Sequence, residues 1–158
     1  MSLVGLVSDT HDHLARCRDA AALFDRLGVA AVIHCGDIVS QFALAEFGRL
    51  RCPLVGVFGN NDGDRPALEE RAREFGFEFF PGPHRFELTG RVFSVSHEPP
   101  TARPDCDYIV HGHTHRPAHV PGVPPVINPG EACGWLTGLA TVATVDTETG
   151  VVEFHELG

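Results

Sequence analysis

Lysine is absent from this chain. All twelve basic residues are arginines, and 21 aspartates and glutamates outnumber them, leaving a formal charge of −9 over 158 residues. A protein that grips long nucleic acid by neutralising its phosphates carries the opposite balance, so polymeric DNA or RNA is a poor candidate partner. The sequence also lacks any run of about 18 or more apolar residues, the length a helix needs to cross a bilayer. Its first apolar run, Leu3-Val4-Gly5-Leu6-Val7, has no basic stretch ahead of it, unlike a secretory leader. These absences imply no membrane partner and a cytoplasmic location. Cys-x-x-Cys pairs are missing too. Cys17, Cys35, Cys52, Cys106 and Cys133 are odd in number and widely spaced, which argues against a disulfide framework or a thiolate zinc site. They read as small buried fillers.

What is present fits one core. With 43% hydrophobic residues, a chain of this length buries a single core and leaves little for a second, so residues 1–158 read as one domain. Ten histidines stand out against the acidic background. An acidic protein still acts on a small phosphate ester when bound cations supply positive charge locally.

Short apolar runs alternate with amphipathic stretches through the first half: Leu3 to Val7, Ala15 to Leu27, Ala31 to Ile33, Gln41 to Leu50 and Leu54 to Val57. This β-α-β-α-β rhythm predicts a parallel sheet. A further helix is expected over Arg65 to Phe75, closed by Gly76. Beyond it the texture becomes short strand candidates: Phe77 to Phe80, Arg85 to Leu88, Val92 to Val95, Tyr108 to His111, Ala118 to Val120, Val126 to Asn128, Leu139 to Asp146 and Val151 to His155. Leu88-Thr-Gly-Arg91 and Asp146-Thr-Glu-Thr-Gly150 look like hairpin loops. The pattern predicts a parallel half followed by a more antiparallel half.

Polar clusters follow the apolar runs directly: Ser8-Asp9-Thr10-His11, His34-Cys35-Gly36-Asp37 and Gly59-Asn60-Asn61-Asp62. Ligands of open α/β sheets bind beyond the carboxyl ends of strands, so these clusters are expected to converge on one crevice. Asp9 and His11, two apart, would share a face if the strand stays extended. The β-rich half adds Ser96-His97 and His111-Gly112-His113-Thr114-His115, where Gly112 permits a turn that separates His111 from the other two. Taken singly, an aspartate after a strand is usually a cap or turn residue, and a lone histidine is usually structural. Seven ligand-type residues at five strand ends point instead to a metal site. All offer nitrogen or oxygen, which suits manganese, iron, zinc, nickel or cobalt. His84, His119 and His155 have no partner motif and read as surface or packing residues. His13 and His34 are open to two readings, as supports for the ligands or as helix-start and packing residues.

The ordered set Asp9-Thr-His11, Gly36-Asp37, Gly59-Asn60-Asn61-Asp62, Ser96-His97 and Gly112-His113-Thr114-His115 resembles the five signature blocks of the calcineurin-like metallophosphoesterases, nearly end to end. Ser8-Asp-Thr-His-Asp12, His34-Cys-Gly-Asp37 and Ile127-Asn-Pro-Gly130 resemble most closely the small bacterial and archaeal phosphodiesterase branch (YfcE-type). The resemblance implies an α/β fold, a four-layer αββα sandwich of two mixed β-sheets flanked by helices. It also implies two divalent ions, manganese first among them. Asp9, His11 and His115 would hold one, Asn60, His97 and His113 the other, and Asp37 would bridge both. A carboxylate has two oxygens with which to bridge ions about 3.5–4 Å apart, and neutral imidazoles fill positions without adding charge. A hydroxide generated between the ions would then attack phosphorus in line, so the expected activity is hydrolysis of small phosphodiesters.

Three departures from the family pattern bear on substrate. Asn61 stands where many members carry a histidine; its amide is expected to contact the substrate phosphate but has no proton to give a leaving oxygen. Glu98 follows His97 where a glycine is usual, and only Pro99 to Asp105 fill a stretch where relatives often place a helix. Glu131-Ala-Cys133-Gly-Trp135 replaces a serine-rich continuation; Trp135 reads either as core packing or as an interface anchor, the latter implying a homo-oligomer. A non-catalytic scaffold like the retromer subunit of the same fold is the alternative of a different class, alongside phosphomonoesterase and nuclease readings. A scaffold has no need of the complete ligand set.

Overall fold

The computed structural model describes residues 2–158. The order is β1 (Leu3–Val7), α1 (Leu14–Leu27), β2 (Ala31–His34), α2 (Gln41–Glu46) with a 3-10 turn over Phe47–Arg49, β3 (Leu54–Val57), α3 (Arg65–Glu74), β4 (Glu78–Phe80), β5 (His84–Leu88), β6 (Arg91–Val95), β7 (Tyr108–Val110), β8 (Ala118–Val120), β9 (Val126–Asn128), β10 (Thr141–Asp146) and β11 (Val152–Glu156). These strands form two mixed sheets, β11-β10-β1-β2-β3-β4 and β5-β6-β7-β9-β8.

The central strands are apolar throughout because both their faces are covered. On β1, Val4 and Leu6 join the core between the sheets, where they meet Phe93, Val95, Val110 and Ile127. Val7 faces the other way, into the layer under the helices. There α1 lays Cys17, Ala20, Ala21 and Phe24 against the sheet at helical spacing, and α3 adds Leu68 and Ala72. The helix ends follow local chemistry: Ser40 and Asp64 accept backbone N–H bonds at the starts of α2 and α3, and Gly28 closes α1 with φ 69°.

β1 to β4 run parallel, as the rhythm predicts. The β-rich half is less simply antiparallel than its turns suggest. β6, β7 and β9 pair parallel, while β10 and β11 leave that sheet and extend the first one, β10 lying antiparallel beside β1. Both expected hairpins form; in the first, Thr89 (φ 54°) and Gly90 (φ 78°) make the two-residue turn that right-twisted strands favour. The helix expected over Gln41 to Leu50 tightens into the 3-10 turn after Glu46.

Two mixed sheets packed face to face and flanked by helices is the arrangement the resemblance implies. The helical layer lies on the six-stranded sheet. Among the described residues no helix follows α3, so the outer face of the five-stranded sheet is covered instead by the segment 98–105, tied down where the Arg85 guanidinium donates to Asp105 O at 2.6 Å. Cys17, Cys35 and Cys133 are buried, whereas Cys52 and Cys106 are half-buried; all five are free thiols.

Candidate metal centre

The loops after β1, β2, β3, β6 and β7 meet at one place. Backbone bonds lace them together: Asp9 N–H donates to Gly36 O, His11 N–H to Asp37 O and Gly112 N–H to His97 O, at 2.9–3.0 Å. Two glycines make room for this approach. A Cβ on Gly112 would collide with Ser8 Oγ and Asp9 Oδ2, and one on Gly59 with Asp37. Asp62 ties the β2 and β3 loops by accepting N–H bonds from Asp37, Val39 and Gly59 at 2.7–2.9 Å.

The backbone reaches the site by a route that strand alternation does not describe. Asp9, His11, Asp37, His113 and His115, five of the seven expected ligands, adopt positive φ between 39° and 70°. Such conformations cost about 1–3 kcal/mol each in non-glycine residues and cluster at functional sites. Asp9 and His11 therefore converge through left-handed turns beyond the end of β1 and not through an extended strand. Gly112 does separate His111, which is buried with Nδ1 against Gly112 O.

Asp9 is fully buried. Its Oδ2 accepts from Ser8 Oγ at 2.7 Å and from His113 N–H at 3.1 Å. Its Oδ1 has no hydrogen-bond partner, yet it lies 3.5 Å from His11 Nε2, 3.4 Å from His115 Nε2 and 3.9 Å from His97 Nε2. Asp37 Oδ2 lies 3.4 Å from His11 Nε2 and 3.2 Å from His97 Nε2, so this carboxylate stands between two groups of imidazoles. His97 Nδ1 sits 2.8 Å from Cys35 O, which only accepts; Nδ1 must carry the proton, and a neutral His97 turns its Nε2 lone pair toward the carboxylates. Lone pairs that face carboxylate oxygens in a buried cluster repel unless a proton or cation lies between them. The donor set therefore fits divalent metal. Asp9, His11 and His115 form one candidate group, and Asp9, Asp37 and His97 another. His113 adjoins the second, its Nδ1 3.3 Å from His97 Nε2, and Asn60 is exposed and lines the same cavity as His97.

Without metal, the cluster holds its charge by internal pairing. Burial alone would raise the Asp37 carboxyl, but His97 and the backbone and side-chain N–H groups of Asn61 hold it below the usual carboxylate range. Burial likewise opposes ionisation of Asp9, and the nearby His11 imidazole together with the Ser8 hydrogen bond outweighs it. His11 responds in kind: the proximity of the Asp9 carboxylate raises it despite its burial.

The remaining histidines divide by environment. His13 caps α1 and packs against Trp135, which is 61% exposed and so no core residue. His84 stacks on Phe80, and His155 Nε2 meets Thr144 Oγ1 at 3.0 Å. His34 is fully buried: Gly36 N–H donates to its Nδ1 at 3.0 Å, so the Nε2–H faces Thr10 Oγ1 at 3.1 Å. Burial pushes this imidazole down to about 4. Because that lies below the 6.5 of an unfolded histidine, His34 favours the fold fully above 6.5 and loses that contribution, about 3 kcal/mol, as pH falls through 6.5 towards 4. Imidazole NMR of the metal-free protein should show His34 neutral and non-titrating from pH 8 down to about 5. A midpoint near 6.5 would contradict this.

Glu131 escaped the motif reading. It is fully buried, accepts N–H bonds from Leu136 at 2.6 Å and Thr137 at 3.2 Å, and faces His115 Nδ1 at 3.5 Å. Its only sequence signal is a departure, an acid directly after Asn128-Pro129-Gly130. Glu98, by contrast, is exposed and belongs to none of the candidate metal groups.

An α/β sandwich with carboxylates, imidazoles and an amide converging beyond its strand ends defines a metal-dependent phosphoric ester hydrolase. Residues 2–150 match the model of the calcineurin-like phosphoesterase superfamily domain, and the chain belongs to that superfamily. It is 38% identical over 155 residues to phosphodiesterase MJ0936 of Methanocaldococcus jannaschii, covering 92% of this chain and 93% of that one. Among solved structures it superposes on an archaeal phosphodiesterase with a TM-score of 0.86 at 33% identity, covering 98% and 99% of the two chains. The phosphoesterase Yfce of E. coli shares the fold, with a TM-score of 0.74 at 17% identity over 99% of this chain and 100% of that one. No helix of the described residues is long and apolar enough to cross a membrane.

Proposed function

We propose that the chain is a phosphodiesterase that hydrolyses small phosphodiesters at a dinuclear divalent-metal centre, acting as one domain in the cytoplasm. The bare Asp9 Oδ1, buried with three imidazole Nε2 atoms 3.4–3.9 Å away and no hydrogen-bond partner, carries this reading, because a cation seated among these atoms would satisfy all of them at once. Asp9, His11 and His115 would hold one ion, Asn60, His97 and His113 the other, and Asp37 both. Manganese suits this all-nitrogen and oxygen set, as do iron, zinc, nickel and cobalt. Bound there, the ions supply charge for the phosphoryl oxygens and a lowered pKa for attacking water.

The chain's own residues do the positioning. Ser8 Oγ and the His113 N–H fix the Asp9 carboxylate through Oδ2, leaving Oδ1 for metal. Cys35 O fixes the His97 ring through Nδ1. Asn61 donates its side-chain amide to Asp37 Oδ2 at 2.9 Å, and this position beside the proposed bridging carboxylate supports a contact from that amide to the substrate phosphate. The name phosphodiesterase, carried by the curated relative and by the archaeal structure, supports the diester over the monoester. The scaffold alternative is disfavoured because the whole ligand set is present. Purified protein is expected to contain two divalent ions per chain and to hydrolyse bis(p-nitrophenyl) phosphate with added manganese. Failure to bind metal, or inertness after manganese loading, would overturn the proposal.

Glu131 enters as a support for His115. Its carboxylate, held by two backbone amides, is placed to accept the His115 Nδ1 proton and to turn Nε2 toward Asp9. Such outer partners are worth about 10–100-fold in metal affinity. Titration calorimetry with manganese should show Glu131→Gln weakening one of two sites by that factor while the other is unchanged; two unaltered sites would dismiss the role.

A further inference from the structure

A cavity of about 710 Å3 opens beside Asn60 and His97 and runs away from the Asp and His cluster. Its floor is a row on the outer face of the five-stranded sheet. Arg85 lies across from Ser94, and Ser94 across from Ile109, while their neighbours Phe86, Phe93 and Val110 turn into the core between the sheets. In place of a covering helix, the strap 98–105 passes over this row, anchored by Arg85 to Asp105 O and by Arg103 to Pro124 O at 2.8 Å. The far wall is Phe58, with the Arg65 guanidinium 5.0 Å over its ring, and the turn Pro81-Gly82-Pro83.

We infer that this cavity is the subsite for the arm retained on phosphorus, and that the arm is a nucleoside. The inference rests on the phosphodiesterase reading above. The volume lies within the roughly 300–1,000 Å3 of small-molecule sites, far more than an alkyl group fills. Proline faces and a guanidinium over an aromatic ring make flat surfaces on which a planar base stacks. Ser96 and Glu98 line the end nearest His97, where sugar hydroxyls would find acceptors in the Glu98 carboxylate and in the Ser96 oxygen, whose own proton is donated to Glu98 O.

The test uses two diesters with the same leaving group, the p-nitrophenyl ester of thymidine 5′-monophosphate and ethyl p-nitrophenyl phosphate, with manganese-loaded protein. The nucleoside ester is expected to have a kcat/KM about tenfold higher, chiefly through KM. Ala102 is an exposed strap residue at the cavity, and Ala102→Trp should bring that ratio close to one while ethyl ester turnover and metal content stay unchanged. Thr101→Trp, also on the strap, repeats the test from a second position should the first variant fail to fold. Equal kcat/KM for the two esters in the parent protein, or a ratio that survives in the folded variants, would overturn the subsite. Hydrolysis of neither ester would instead remove the phosphodiesterase reading, and the subsite with it.

Discussion

Asp37→Ala is expected to lose hydrolysis and dinuclear metal binding together, with kcat/KM falling roughly 10³-fold or more. The reason is position. Asp37 Oδ2 lies 3.4 Å from His11 Nε2, on one side of the cluster, and 3.2 Å from His97 Nε2, on the other, so its removal deprives both groups of a shared oxygen. Asn61 N–H and Nδ2, which meet the two Asp37 oxygens at 2.9 Å, would also lose their acceptors. Elemental analysis of the variant should find at most one ion per chain, and calorimetry should find the second site absent. Asp37→Asn separates charge from shape, because the amide keeps the volume and one oxygen but neither the charge nor the second oxygen. It is expected to bind metal weakly and to remain nearly inactive. A metal-replete Asp37→Ala protein with full activity would remove this residue from the site.

Much of that site is legible in the sequence because the strands that deliver it are buried on both faces. Leu3 to Val7, Ala31 to Ile33 and Leu54 to Val57 read as near-continuous apolar runs, and the first polar residues after each run fall at the strand ends. What the linear pattern hides is conformation. Strand alternation accounts for a shared face for Asp9 and His11 only while the backbone stays extended, yet both sit at positive φ, a state set by bonds from the β2 loop to their N–H groups. The return of β10 to the edge of β1 is similarly hidden, because a strand's partner depends on contacts far along the chain: Leu3 pairs with Asp146. Glu131 was visible only as an unusual residue. Its role emerges when residues 131–137 curl so that their own amides hold its carboxylate beneath His115.

Asn61 should make the enzyme markedly sensitive to its leaving group. General acids contribute about 10²–10⁴-fold when a basic oxygen departs, and an amide supplies none of it. Across a series of aryl phosphodiesters of rising leaving-group pKa, kcat/KM should therefore fall steeply, and alkyl phosphomonoesters should be turned over at least about 10²-fold more slowly than bis(p-nitrophenyl) phosphate. The other imidazoles near the cleft do not relieve this. His11, His97, His113 and His115 are committed to metal in the proposed centre, His34 is buried with both nitrogens bonded, and His84 lies stacked on Phe80 in the cavity assigned to the retained arm, away from the leaving group. Asn61→His offers the direct comparison. Its imidazole would replace the amide beside Asp37 and should flatten the dependence by accelerating the poorest leaving groups most. The best leaving group should be almost unaffected, since p-nitrophenolate departs without a proton. A parent enzyme already insensitive to leaving-group basicity would show that some other residue donates the proton, and a clear preference for alkyl monoesters would count against the diester reading.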